Sequence, residues 1–489
     1  MYLALFPICF PVLAGLCLLL YRKTPDRKVL TAVTGTCLSI TGALVFIALL
    51  FAGQGIVLFH LTKTLPIYFR IDELGIVFSV LTVIVFVCAG FFSFAYMSHE
   101  QHEKRYYGYY LMVFGVLNAL CFAGNLITFY LFFELLTLSS IPLVLHTGSR
   151  EAIMAGLKYL FYSLCGAYGA LFGIYFLYHS CSTLSFTPGG VLSDSAVAAQ
   201  GGFLLFVAFV MILGFGVKAG MFPMHAWLPT AHPAAPAPAS AVLSAVIVKA
   251  GVLALIRVVY YILGPDFLRG TWVQTAWLTL SLVTVFMGSM LAYREPILKK
   301  RLAYSTVSQL SYILFGLAVM EQHAFTGGLL HILAHGFIKG TLFLTAGAII
   351  YTTGRTRVDE LRGIGKEMPL TMWCYTIVSL GLIGIPPTGG FISKWYLAIG
   401  GLAGDIGIFR YAGPIILLIS ALLTAGYLLP LTIQGFFPGA DYDYAALQKR
   451  EPCLLMTLPL LFLTILSVLL GLFPNIVVDY LTNFVSILL

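Results

Sequence analysis

The sequence predicts an all-α polytopic membrane protein of about fourteen transmembrane helices, two of them broken, and three observations predict it. The chain is 60% hydrophobic and only 9% charged, with a mean hydropathy of +0.97, a composition outside the range of water-soluble domains. Apolar stretches long enough to cross a hydrocarbon core, about 20 residues each, begin near residues 1, 29, 74, 107, 126, 152, 203, 236, 273, 302, 327, 369, 409 and 454. Lysine and arginine are shared unequally between alternate loops, as the positive-inside rule requires of a chain that weaves through a bilayer.

The first segment, Met1 to Tyr21, has no basic residue before its apolar run, and Arg22, Lys23, Arg27 and Lys28 follow it. That order predicts a retained helix with its N-terminus outside, rather than a cleaved signal peptide. Of the 27 Lys and Arg residues, loops after odd-numbered spans hold seventeen, loops after even-numbered spans four, and the spans themselves six. The odd loops are therefore expected in the cytoplasm and both termini outside, in the cell inner (cytoplasmic) membrane. The net charge of +8 reports this topology and gives no ground for a nucleic-acid partner. The segment after Phe473 is too short and mixed for a further span, and is expected along the interface.

The stretch Lys218 to Lys249 organises the rest. It carries two lysines, two histidines and five prolines (Pro223, Pro229, Pro233, Pro236, Pro238) within an apolar region. Proline in a helix interior removes a hydrogen bond and clashes with the preceding turn, and freed backbone groups are tolerated at membrane depth only where protein or water surrounds them. The seventh span is thus predicted to break at GMFPMHAWLP. The twelfth breaks at GIPPTGGFISK. Five spans separate the two, so the broken helices cross in opposite directions, as in an inverted repeat. This divides the chain into N-terminal spans one to three (1–106), a first five-helix repeat (107–262), a second (263–437), and a last span with its tail (438–489). The alternative is a Pro-rich linker between two membrane halves, against which stand two lysines at membrane depth.

Ionisable groups inside a bilayer are costly and usually functional. Glu134, in ITFYLFFELLTLSSIPLVL, is the acidic residue well inside a span, and Lys218 is its natural partner, either as a switch or as a static ion pair. Lys249 lies near the middle of the eighth span with Ser240 and Ser244 upstream. Desolvation disfavours an ammonium and so permits exchange of its proton; the competing reading is a lysine tied to free carbonyls of the neighbouring break. His331, His335 and Lys339 recur every four residues in HILAHGFIKG and share one helix face. They make a ladder suited to proton relay, or a packed pair of histidines; for a metal site a third ligand is missing. Lys394 follows the second break, beside glycines that admit water or another backbone. Lys158 and Arg257 lie nearer span ends, where snorkelling to the interface explains them. His225, His232, Tyr304 and Ser305 complete the set as supporting residues.

Nine scattered cysteines without a C-x-x-C pair give no iron–sulfur, zinc or disulfide framework. No nucleotide loop, nucleophile elbow or haem pair is present, so no catalytic residue, cofactor or metal is expected in this chain, and any redox or hydrolytic chemistry is expected elsewhere.

These motifs together resemble the antiporter-like subunits of respiratory complex I, membrane-bound hydrogenases and Mrp-type sodium/proton antiporters. The FELL glutamate is similar to Glu134, and the broken-helix lysine followed by P-x-H-x-W-L-P to Lys218 through Pro229. The A-P-x-P-x-S run with its downstream lysine corresponds to Pro236 through Lys249. KKRLAYSTVSQ matches Lys299 to Gln309, H-x3-H-x3-K matches His331 to Lys339, and G-F-x-x-K gives Lys394. The resemblance implies fourteen helices, inverted repeats and a polar axis at mid-membrane. It also implies a role as one proton-translocating module, with sodium exchange in some members, among other membrane subunits that include paralogous ones. Some members carry glutamate at the position of Lys394, so this chain is similar to the lysine subset. It stops short of the lateral C-terminal helix of the longest members, as the shorter D-type or N-type members do.

Two other function classes fit the composition. A stand-alone secondary transporter of a small solute would use broken helices, but its polar residues would gather around one pocket instead of spreading over five spans. A non-transporting membrane scaffold would hold the same charges idle.

Overall fold

The computed structural model describes residues 2–23, 25–440, 442–443 and 447–489; the start of the first span at Met1 lies outside them. Among the described residues twelve helices are long and apolar enough to cross a membrane. They include Tyr2–Leu20, Arg27–Leu49, Glu73–His99, Leu126–Val144, Arg150–Ser180, Trp272–Arg294, Phe409–Phe436 and Leu454–Leu472. Two more segments stand where the sequence predicts spans four and twelve. Glu103–Phe122 is helical but opens on three charged residues, and the twelfth is split into Pro369–Ile383 and Gly389–Ala403, each too short to cross alone. The chain is a polytopic helical membrane protein, and the spans fall at the places the apolar runs mark.

Burial orders the spans from centre to rim. The most apolar window of the eighth, Ala237–Leu263, is wholly buried inside the protein, and those of the tenth, Leu298–Val319, and the eleventh, Gln322–Thr353, are 94% buried. The first and seventh reach only 28%, and their outward leucines and phenylalanines face the surface, where lipid is an adequate solvent for them. The buried tenth and eleventh spans are less apolar than the exposed first and seventh, so tertiary packing rather than apolarity separates core helices from rim helices. Side-chain caps close several helix starts: Asp72 accepts from the Gly75 N–H, Asn125 from Thr128, Ser149 from Ala152 and Ser193 from Ala196, which satisfies donors that lipid cannot.

Both predicted breaks are present. The seventh span begins at Asp194, earlier than its apolar run, with a kink at Gln200, and ends at Lys218; a short helix, Leu228–Ala234, follows. Gly220 (φ +72°) and Gly384 (φ +95°) turn the chain in left-handed conformations at the two breaks, which glycine adopts without strain. The freed carbonyls find donors. Trp227 Nε1 donates to the Val217 carbonyl at 2.9 Å, and the Lys394 ammonium donates to the carbonyls of Leu382 and Ile383 at 2.5 and 3.0 Å.

Two elements lie outside the sequence expectation, and the tail, too short for a further span as expected, is helical. A β-hairpin, β1 (Gly55–Thr62) and β2 (Leu65–Arg70), pairs Ile56 with Phe69 between the second and third spans. The eighth span contains two π-helical stretches, Leu243–Ile247 and Arg257–Leu263, on either side of the α-helical Lys249–Ile256. The tail forms an amphipathic helix, Asn475–Leu488, that buries Val478, Leu481, Phe484, Val485 and Leu488 and packs on the eleventh span.

Candidate functional site

The candidate site is a set of buried and half-buried titratable side chains carried by the fifth, seventh, eighth, eleventh and twelfth spans. Lys218 ends the first half of the broken seventh span and is 1% exposed. Its ammonium donates to Thr137 Oγ1 at 2.6 Å and to the Phe133 carbonyl at 3.4 Å, and sits over the Phe133 ring at 4.4 Å. All three contacts come from the fifth span, which also carries Glu134. The expected ion pair with Glu134 is not closed: the half-buried carboxylate forms no salt bridge among the described residues, and its Oε1 has no partner. Thr137 lies one turn beyond Glu134 on a neighbouring row of the same helix, close enough to take the ammonium in its place.

Lys249 is fully buried at the junction between a π-helical stretch and the following α-helix. Its ammonium donates to the carbonyl of Ala245, inside the π-helical stretch where the regular ladder is interrupted. Ser240 and Ser244 do not reach it. Ser240 Oγ donates to the His232 carbonyl at 2.7 Å, and Ser244 shares a 2.8 Å hydrogen bond with Thr306.

The eleventh span carries the ladder, all of it buried. His331 is fixed at both nitrogens, by Ser393 Oγ at 2.9 Å and Gln309 Oε1 at 3.1 Å, and its ring stacks on Tyr312 with centroids 5.6 Å apart. The His335 ring is 5.9 Å from that of His331, and neither of its nitrogens has a protein hydrogen-bond partner. Lys339 donates to Ser305 Oγ at 2.7 Å and to the Leu302 carbonyl at 3.0 Å. Ser305 in turn accepts from the Tyr427 hydroxyl at 2.7 Å. Lys339 follows His335 by one turn on the same helix face. At the far end the half-buried Lys394 lies over the Tyr312 ring at 4.9 Å, beside a cavity of about 180 Å³ lined by Ile383, Trp395 and Pro414.

The supporting residues divide. His232 is buried, stacks on Phe343 at 4.7 Å, and has no hydrogen-bond partner at either nitrogen. His225 is half-buried and stacks on Phe222 at 6.0 Å. Tyr304 is half-buried, while Ser305 is fully buried beneath Lys339. Lys158 is half-buried and lines a cavity of about 710 Å³ with Glu151 and Lys300.

Two expectations are corrected. Arg257 does not snorkel: it is 0% exposed and grips Asp72 through both terminal nitrogens, NH2 donating to Oδ1 at 2.7 Å. A guanidinium fork matched to a carboxylate removes any need to reach the interface. Lys299, counted from the sequence as a loop charge, is only 7% exposed; its ammonium donates to the carbonyls of Pro233 and Ala235 at 3.1 and 2.5 Å. It closes the backbone of the Pro-rich segment, 64 to 66 residues away in the chain, and nothing in the sequence around Lys299 signals that contact. Thr137, Gln309, Ser393, Tyr312 and Tyr427 also escaped sequence reading, because a neutral side chain in an apolar span carries no cost that marks it.

Residues 123–438 match the family model described as "NADH:quinone oxidoreductase/Mrp antiporter, TM", and residues 61–107 match "NADH-Ubiquinone oxidoreductase (complex I), chain 5 N-terminus". The chain is 33% identical over 393 residues to NADH-quinone oxidoreductase subunit N of Desulforudis audaxviator, covering 78% of this chain and 76% of that one. It is 29% identical over 440 residues to the D-type subunit of the Na(+)/H(+) antiporter of Bacillus subtilis, covering 88% and 86%. It spans about half, 53%, of the longer Na(+)/H(+) antiporter subunit A1 of Staphylococcus aureus, at 31% identity over 84% of its own length. Its fold is that of a chain in the Mrp complex from Dietzia sp. DQ12-45-1b, with a TM-score of 0.85 at 22% identity over 100% of this chain and 98% of that one. A family model that runs through both breaks and the whole ladder, with a one-third-identical relative beside it, establishes that the chain belongs to the NADH:quinone oxidoreductase/Mrp antiporter family of membrane proteins.

Proposed function

We propose that this chain is an ion-translocating subunit of a multisubunit membrane complex, and that it relays protons along Glu134, Lys218, Lys249, His335, His331, Lys339 and Lys394. The observation that carries the reading is the environment of three lysines. Lys218, Lys249 and Lys339 are each at most 1% exposed, and hold only hydroxyl and carbonyl partners instead of a carboxylate. A structural lysine at membrane depth is normally neutralised by a paired acid; three left with neutral partners are groups whose protons can move. The relatives' names, a quinone oxidoreductase subunit and sodium/proton antiporter subunits, support transport within a larger assembly of membrane subunits.

In this reading Glu134 controls the first lysine. When its carboxylate closes on Lys218 the ammonium is stabilised and keeps its proton. When the pair is open, with Lys218 turned to Thr137, that stabilisation is lost and the proton passes towards Lys249; each pKa unit of the swing is worth about 1.4 kcal/mol. His335, free of protein hydrogen bonds, turns between Lys249 and Lys339, and His331 leads towards Ser393 and Lys394. Residues 107–262 and 263–437 act as the two inverted five-helix halves, each contributing one broken helix. The chain lies in the cytoplasmic membrane with both termini outside, which the basic residues of alternate loops support.

The test is ion flux or gradient formation by the complete complex in liposomes. Lys218→Arg is expected to assemble normally and lose most driven flux, because arginine keeps the charge yet cannot release a proton. Near-normal flux in that variant makes Lys218 a fixed charge and removes the relay assignment.

A further inference from the structure

The buried pair Arg257–Asp72 belongs to none of these steps, yet it stands at the end of the helix that carries Lys249. Arg257 follows Lys249 by eight residues in the same span, about 12 Å along the axis. Asp72 caps the third span, accepting from the Gly75 N–H at 2.9 Å while it holds both ends of the guanidinium. Two rings enclose the cation: Phe186, from the loop before the seventh span, lies 4.7 Å away, and Tyr261 lies 4.8 Å away. Asp72 keeps 21% of its side chain exposed whereas Arg257 is sealed beneath it, with its Nε buried and unpartnered. Beside Asp72, Glu73 accepts from the hydroxyl of Tyr480, so the C-terminal helix is tied to the same corner. By the loop-charge topology this corner faces outside.

We infer that Arg257, held by Asp72, is the outer barrier of the translocation path, a locked and non-titrating ion pair that keeps the central lysines from equilibrating with the outside between the third and eighth spans. Two properties fit it for this. A guanidinium cannot lose its proton at any physiological pH, so it cannot serve as a step in a relay. Its two terminal nitrogens are locked on one carboxylate between two rings, so the pair plugs this corner against water and ions for as long as it stays closed. The aspartate holds the barrier in register without exposing it. This inference rests on the transport reading above.

The experiment compares passive with driven flux in liposomes holding the complete complex. Asp72→Asn keeps the helix cap, since asparagine caps as well as aspartate does, and removes the counter-charge. An imposed pH gradient is expected to collapse about tenfold faster, the factor that ~1.4 kcal/mol of lost barrier gives, while Asp72→Glu leaks as the wild type does. Arg257→Lys retains an ion pair but loses the fork and the permanent charge, and a leak about threefold above wild type is expected. If Asp72→Asn does not assemble, Arg257→Lys decides alone. A wild-type leak in an assembled Asp72→Asn or Arg257→Lys complex overturns the barrier. Absence of driven flux in the wild-type complex would instead overturn the transport reading, so the two failures are distinct.

Discussion

The Lys218 ammonium lies 2.6 Å from the Thr137 hydroxyl and forms no salt bridge with Glu134, three residues earlier on the same helix. One helix thus presents two partners to the same lysine, a neutral one that it holds and a charged one left free. Thr137→Val deletes the neutral partner at constant shape. A hydrogen bond to a charged group contributes about 1.5–3 kcal/mol, so the variant favours the closed Glu134–Lys218 pair. Driven flux is expected to fall severalfold with subunit content unchanged, and Glu134→Gln in the same background to remove the added inhibition. Thr137→Val at full activity would show that the hydroxyl does not compete with Glu134.

The ladder makes a separate prediction. His331 is anchored by Ser393 and Gln309, whereas His335 is held by packing alone. Replacing both with leucine should leave the complex assembled and reduce flux by more than tenfold, since leucine fills the space but carries no proton. His335→Leu alone should account for most of the loss, because that ring, unlike His331, is tied to no protein partner and is free to turn. Unchanged transport in the double variant would reduce the histidines to packing.

Tyr427 reaches Lys339 through Ser305. Tyr427→Phe removes a hydroxyl without opening a cavity and leaves Ser305 one donor short. A twofold to fivefold loss of flux is expected, about 0.4–1 kcal/mol on the barrier, with thermal stability near wild type. A large fall in stability at unchanged flux would place Tyr427 in the packing and outside the relay.

A pH prediction concerns His146, which follows the fifth span and is 2% exposed. Burial, helped by the nearby positive charge of Arg105, pushes its pKa down to about 4. The imidazole is folded in its neutral form. Its contribution to stability is fully present above the unfolded value of about 6.5 and is lost progressively as pH falls towards 4. The loss amounts to roughly 3 kcal/mol at about 1.4 kcal/mol per unit. Melting of the detergent-solubilised protein should therefore weaken between pH 7 and 5, and His146→Gln should flatten that slope. An identical slope in the variant would place the acid sensitivity elsewhere.

The sequence by itself determined the membrane class, the positions of the spans, the two breaks and the identity of the titratable residues. Each of these follows from a local cost: apolar length must match the bilayer, proline interrupts the helix in which it stands, and a charge at membrane depth is conspicuous because it is expensive. The partners of those charges were decided only by the tertiary structure. Nothing in the order of residues distinguishes an Arg257 that snorkels from one that grips Asp72, 185 residues away, or a Lys218 that faces Glu134 from one that has turned to Thr137. The π-helical stretches around Lys249 and the placement of Ser305, Tyr427 and Gln309 were equally silent. A hydroxyl or an amide inside an apolar helix is far less conspicuous than a charge; its partner, 2.7 Å away for Tyr427 and Ser305, is set by which helices pack together, a property of the whole assembly of spans rather than of any one of them.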